Sequence, residues 1–228
     1  MNNISHKDDL FWKIYSKIYD SILDLIPYKQ LLHEIYSSLE IQPGRKYLDA
    51  GCGTGNLTFE IKKHNVEIIG MDYSENMLNK AREKHKNIPF YFGDLNKRLE
   101  YNDDSFDGIV SNNVLAYVKD LNFTIGEFYR ILKPNGKLVL ATLRKGFSPL
   151  KIYLNHVSAE GFLNSFRILL PIMLVGLCNM IILQRAGRGV YHLLTYRELE
   201  EILKNYNFTD FQIKNAYANQ DLLVIAKK

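Results

Sequence analysis

An aspartate set two residues ahead of a glycine-spaced turn dominates the chemistry legible in this chain: Lys46 to Asn56 reads KYLDAGCGTGN. Glycines at 51, 53 and 55 let the main chain pass sharply from an apolar strand into a helix, and let a ligand lie against bare backbone. The spacing is G-x-G-x-G, distinct from the G-x-G-x-x-G of the usual dinucleotide fingerprint. Asp49 places a carboxylate at the mouth of the turn, which repels a pyrophosphate and suits an ammonium group. A second acid, Asp72, ends the apolar run that starts at Glu67, where a Rossmann-like unit accepts ribose hydroxyls. Asp72 would serve an adenosine moiety of any origin. A third acid, Asp94, closes IPFYFGDL (Ile88 to Leu95) and is placed for an adenine amino group, with the Leu95 N–H on a ring nitrogen. Asp94 also reads as a turn or cap aspartate.

Asp49 and the G-x-G-x-G spacing suit S-adenosylmethionine, which carries an ammonium and a sulfonium and no phosphate, while Asp72 does not discriminate it from NAD. Further motifs follow in order: SFDGIVSNNVLAYV (Ser105 to Val118) and RILKPNGKLVLATL (Arg130 to Leu143). With them the chain resembles the class I S-adenosylmethionine-dependent methyltransferases from about Ile41 to Leu143, and again from Leu194 onward. The resemblance implies cofactor contacts from Tyr19, Asp49, Ala50, Gly51, Gly53, Asn56, Asp72, Tyr73, Met77, Gly93, Asp94, Leu95 and Asn112. It also implies an N-terminal helical part over the cofactor, with Tyr19-Asp20 near its methionine end.

These residues need a scaffold, and the pattern supplies one. From Asp49 onward strands and helices alternate, which predicts a mostly parallel sheet with helices on both faces. The resemblance implies that this is an α/β, Rossmann-like, seven-stranded sheet with an antiparallel last strand. FQIKNAY and LLVIAKK, joined by a short turn, predict a terminal hairpin and so an antiparallel last strand. Leu10 to Leu39 reads as amphipathic helix, with Phe11, Ile14, Tyr15, Ile18, Tyr19 and Ile22 at three- and four-residue spacing and a break at Pro27. Ser74 reads as a helix N-cap and Thr195 with Glu198 as a capping box. The expected organisation is a single domain over 1–228: an N-terminal lid (1–40), a core (41–144 and 193–228) and an α-helical cap insertion (145–192).

The insertion is the departure from the pattern. It holds Lys145, Lys151, Arg167, Arg185 and Arg188 against one acid, Glu160, and Ile168 to Leu183 is uncharged throughout. As a helix that run spans about 24 Å, short of the roughly 30 Å hydrocarbon core, so it does not read as transmembrane. Two readings stand: a cap over an apolar substrate pocket, which we favour, or a peripheral membrane contact through 162–190. Bases for a hydroxyl or amine nucleophile could come from His156, His192 or Tyr117, with Tyr153 behind them; a lone histidine is more often structural.

Composition narrows the partners. Net charge is +4, with no dense Lys/Arg stripe, so no nucleic-acid partner is expected. Cys52 and Cys178 give neither a disulfide framework nor zinc spacing, and no metal is expected. The N-terminus lacks a signal-peptide pattern, and the expected setting is cytoplasmic, with or without peripheral membrane contact. The loop SNNVLAYV lacks the Asn/Asp-Pro-Pro-Tyr/Phe of base and glutamine methylation. The expected reaction is therefore methyl transfer to an O, N or C atom of a small, hydrophobic or lipid-like acceptor. An NAD(P)-dependent oxidoreductase and a non-catalytic cofactor-binding subunit are the alternatives.

Overall fold

The computed structural model describes residues 19–166, 169, 170, 173, 174, 176–178 and 192–228. Phe11, Ile14, Tyr15, Ile18, Arg167, Arg185 and Arg188 lie outside the described residues, as does most of the uncharged run. Seven strands form one sheet: β1 (Lys46–Ala50), β2 (Glu67–Asp72), β3 (Phe90–Phe92), β4 (Phe106–Asn112), β5 (Leu132–Leu143), β6 (Thr209–Ala216) and β7 (Asp221–Lys227). Their order is β3-β2-β1-β4-β5-β7-β6. β1 to β5 pair in parallel, and β7 runs antiparallel to both β5 and β6. The mostly parallel sheet with a reversed last strand is thus as expected.

Helices pack around it: α1 (Ile26–Ser38), α2 (Asn56–Lys62), α3 (Glu75–Lys84), α4 (Leu121–Ile131), α5 (Pro149–Glu160), α6 (Phe162–Ser165) and α7 (Tyr196–Asn205). Their apolar faces split into two cores. Leu31 and Ile35 of α1, Ile61 of α2 and Leu78 of α3 lie with Val110 and Val139 on one side of the sheet. Ile125 and Phe128 of α4 and Leu203 of α7 lie with Ile109 and Leu140 on the other. Neighbouring strand residues divide between the two cores because side chains alternate across the pleat.

Local signals account for most helix boundaries. The Ser74 hydroxyl accepts the Met77 N–H, and the Thr195–Glu198 capping box is complete. Pro27 sits in the first turn of α1, where its missing N–H costs nothing, and a short 3-10 turn (Asp20–Asp24) precedes it. β3 takes up only three residues of the apolar run from Ile88 to Leu95. Pro134-Asn135-Gly136, a turn signal by composition, lies inside β5. There the register slips from Phe106↔Leu132 to Gly108↔Lys137, and Asn135 takes a φ of 63°. A bulge absorbs the extra residues, so the proline needs no ladder partner.

At the edge of the sheet where β4 starts, Arg130 binds α4 to the preceding loop. Its guanidinium donates to both Glu127 carboxylate oxygens, to Asp103, and to the Leu99 and Tyr101 carbonyls, while Glu127 also accepts the Leu99 N–H. At this end of the strands Glu127 and Asp103 are both matched by Arg130.

Candidate active site

Strand order reverses between β1 and β4, so the loops leaving these two strands diverge and open a crevice at their carboxyl ends. The glycine loop forms one wall. Gly51, Gly53 and Gly55 all have positive φ, and the Gly51 and Cys52 N–H groups donate to the Met71 carbonyl at 2.7 and 2.9 Å. A Cβ at Gly51 would lie 2.2 Å from Val114 Cγ2, so the loop after β4 closes directly onto the glycine loop.

Asp72 joins this wall to the next. Its Oδ2 accepts the Gly53 N–H and its Oδ1 the Ser74 N–H, each at 2.8 Å. Burial raises its carboxyl pKa against the pull of these backbone donors. A carboxylate can accept about four hydrogen bonds, so capacity remains for ligand hydroxyls. Asp49 lies deeper, 1% exposed, and accepts from the Thr58 hydroxyl at 2.6 Å. Burial, opposed by the Thr58 bond and aided by the neighbouring Asp72 charge, pushes its carboxyl up to about 7. Asp94 engages its own turn, accepting from the Asn96 backbone and side chain, as its turn reading anticipated. Its other oxygen has only Lys97 at 3.7 Å.

The remaining expected contacts separate into three groups. Asn56, Asp20 and Thr54 meet: Asp20 accepts from Thr54 Oγ1, Asn56 Nδ2 and Lys84 Nζ at 2.6, 3.1 and 3.0 Å. Burial opposes ionisation of Asp20, but these three donors hold its carboxyl below the usual range. The Tyr19 ring lies 3.8 Å from a Cβ built at Gly53, and its hydroxyl is 3.2 Å from that of Tyr28. Asn112 Nδ2 donates to the same Tyr28 hydroxyl at 3.4 Å. Tyr73 is exposed beside Phe92, the side chains of Ala50 and Met77 are buried in the core, and Gly93 abuts Met71, whose sulfur would lie 2.2 Å from a Cβ there. Leu95 is also buried, and its carbonyl accepts from Thr124.

Of the candidate bases, His156 has another task. It is buried on α5 and its Nδ1 accepts the Ile26 N–H at 3.3 Å, satisfying an orphan donor of the first turn of α1. Burial lowers its pKa. His192 and Tyr117 come together at the loop after β4, where the His192 N–H donates to the Ala116 carbonyl. Tyr153 sits half-buried on α5.

Several site residues escaped the sequence reading. Asp221, fully buried at the start of β7, accepts from Asn113 Nδ2 at 2.8 Å and leaves its Oδ1 without a partner. Asn113 Oδ1 is buried and unpartnered at the same end of the sheet, as is Oδ1 of the expected Asn112. Tyr217 lies edge-on to Tyr28 with centroids 6.0 Å apart. Burial, against the pull of the Asn113 bond, pushes the Asp221 carboxyl up to about 7. In sequence Asp221 looked like the last residue of a turn, and only strand pairing carries it beneath the loop after β4.

The seven-stranded sheet with a reversed last strand is the Rossmann-like α/β fold of class I methyltransferases. A family model described as a methyltransferase domain matches residues 41–204. The chain therefore belongs to the class I S-adenosylmethionine-dependent methyltransferases, and S-adenosylmethionine is its cofactor. This sets aside the NAD(P)-dependent alternative. The chain is 32% identical over 163 residues to the demethylmenaquinone methyltransferase of Staphylococcus saprophyticus, covering 65% of this chain and 69% of that one. It is 33% identical over 141 residues to the corresponding protein of Shouchella clausii, covering 58% and 60%. Phosphoethanolamine N-methyltransferase 2 of Haemonchus contortus, solved with phosphomonomethylethanolamine and S-adenosylhomocysteine, shares the fold at a TM-score of 0.68 and 19% identity. That alignment covers 99% of this chain and 60% of the other.

The buried acids set a pH dependence. A carboxyl held near 7, against an ordinary value of about 3.9, keeps its proton in the folded state where the unfolded chain has lost it. Stability is then full below about pH 4 and declines as pH rises toward 7. Asp221→Asn removes the buried charge while keeping an oxygen for Asn113. Urea unfolding should show the wild type losing about 1–3 kcal/mol more than this variant between pH 4.5 and pH 8. Parallel pH profiles would show that Asp221 ionises freely in the folded protein.

Proposed function

We propose that the chain transfers a methyl group from S-adenosylmethionine to a small, apolar, ring-bearing acceptor of quinone type. The observation that carries this reading is the aromatic and amide cluster beyond the glycine loop. Tyr28 bonds the hydroxyl of Tyr19, lies edge-on to Tyr217 and accepts from Asn112, and Tyr117 packs on the same apolar cluster. Flat aromatic walls with a few directed polar groups suit a ring bearing oxygens. The demethylmenaquinone methyltransferases among its relatives support the same acceptor class.

When bound, the cofactor supplies an activated methyl on its sulfonium. The protein's part is to hold nucleophile and methyl in line and to exclude water. In this reading Asp72 accepts ribose hydroxyls, Asp94 with the Leu95 N–H takes the adenine edge, and Asp49 serves the ammonium side. Asp20 fixes the helical lid against the glycine loop, bringing the Tyr19 ring over the amino-acid end. His192 and Tyr117 remain the candidates to take a proton from the acceptor.

The acceptor class is tested with labelled S-adenosylmethionine and short-chain demethylquinols in solution. Label should enter the quinol and not phosphoethanolamine; the opposite preference, or no transfer to either, would remove the quinone reading.

Asp72→Ala should weaken S-adenosylhomocysteine binding by about 1.5–3 kcal/mol, the range for hydrogen bonds to a charged group. An unchanged dissociation constant in a folded variant would take the ribose away from Asp72.

Asp49 gives a sharper signature. An ammonium ligand prefers the ionised carboxylate, so affinity should strengthen as pH rises toward and through about 7, with proton release on binding. Asp49→Asn should flatten that profile for S-adenosylhomocysteine and leave 5′-methylthioadenosine, which lacks the amino acid, unaffected. Calorimetry across pH reads both, and equal losses for the two ligands would mean that Asp49 only shapes the loop.

A further inference from the structure

The insertion after β5 carries its apolar side chains on the wrong side for a water-soluble helix pair. On α5 the inward face holds Ile152 and His156, packed against the start of α1. Leu150 and Leu154 point away from the core. Gly161, with a φ of 84°, turns the chain into α6, where Ser165 is buried and bonds back to the Gly161 carbonyl. Phe162, Leu163 and Phe166 are the residues left outside. These five side chains are between 55% and 87% exposed. Placing serine in and leucine out inverts the usual helical pattern, and an apolar patch of this kind marks a contact surface.

A basic cleft adjoins this strip. It encloses about 420 Å³ between Arg144, Lys145 and Lys151 on one side and the turn Ala218–Gln220 on the other, and no acid lines it. Lys151 stands between Leu150 and Leu154 in sequence, so cation and apolar side chains share one face of α5. Along 144–192 the sequence has six Lys or Arg against the single Glu160. No helix among the described residues is long and apolar enough to cross a membrane.

We infer that this face docks on an anionic bilayer, with α5 and α6 lying in the interfacial plane. Apolar side chains enter the acyl boundary while Lys145 and Lys151 meet headgroup phosphates. A second copy of the chain fits less well, since a two-fold contact would bring the same uncompensated cations together. The inference goes beyond the proposed reaction and does not depend on the acceptor. It assigns one insertion two faces: the inner holds α1, and the outer holds the protein where apolar molecules reside.

The test is co-sedimentation of the full chain with phosphatidylglycerol/phosphatidylcholine vesicles and with pure phosphatidylcholine vesicles, at low and high salt. Binding to the anionic vesicles, weaker at high salt, is expected. Lys145→Glu/Lys151→Glu should lower partitioning by at least about fivefold per lysine. Leu163→Asp/Phe166→Asp should lower it by at least about a hundredfold, the lower end of what burial of two large side chains supplies. S-adenosylhomocysteine affinity of both variants, measured without vesicles, should match the wild type. That affinity tests the cofactor site separately, so failure there would not be confused with failure here. Wild type that ignores anionic vesicles, or variants that bind like wild type, would overturn the inference. So would light scattering that shows a dimer broken by the Leu163/Phe166 substitutions without vesicle binding.

Discussion

The two hydrogen bonds from Gly53 and Ser74 to the Asp72 carboxylate hold the ligand end of this molecule together. One side chain at the end of β2 fixes both the glycine loop leaving β1 and the start of α3. The Gly51 and Cys52 N–H groups, turned onto the Met71 carbonyl, complete the tie. Because a Cβ at Gly51 has no room beside Val114, the position of the loop after β4 follows from the same constraint. The segment from Asp20 is tied to the same frame through Thr54 and Asn56.

The two edges of the sheet differ in electrostatic character. At the edge away from the site, acids are matched: Asp107 meets Arg45, Lys133 and the Lys46 N–H, and Glu127 meets Arg130. Burial works against Asp107, yet its donors hold it below the usual carboxylate range, and the Arg130 hydrogen bonds do the same for Glu127. At the site edge Asp49, Asp72 and Asp221 are all raised, first by burial. Unmatched buried carboxyls cost stability, and such groups gather where a cationic or hydroxyl-bearing ligand supplies the missing partner. Stability is concentrated at one edge and binding capacity at the other.

Much of this was legible in the residues, for physical reasons. Asp49, the glycine triplet, Asp72 and Asp94 act through local geometry at strand ends, so spacing alone locates them. The helix caps at Ser74 and Thr195 are equally local. What the sequence hid depends on pairing between distant segments. Asp221 meets Asn113 only because β7 runs back beside β5, and His156 meets Ile26 only because α5 packs against the start of α1. Residues separated by more than a hundred positions carry no spacing signal. The β5 bulge was hidden differently, since Pro-Asn-Gly marks a turn whether the chain leaves the strand or merely bulges within it. The insertion's composition was visible, but which of its faces looks outward is a tertiary fact.

Asp20 gathers donors from three places: Thr54 in the glycine loop, Asn56 at the head of α2 and Lys84 at the foot of α3. It stands at the start of the 3-10 turn that leads into α1. Releasing that turn therefore strands three donors at once, so it opens as a unit instead of fraying residue by residue. Amide exchange at Asp20–Asp24 then becomes a gauge of the cofactor loop itself. A ligand that braces the loop slows exchange along the whole turn.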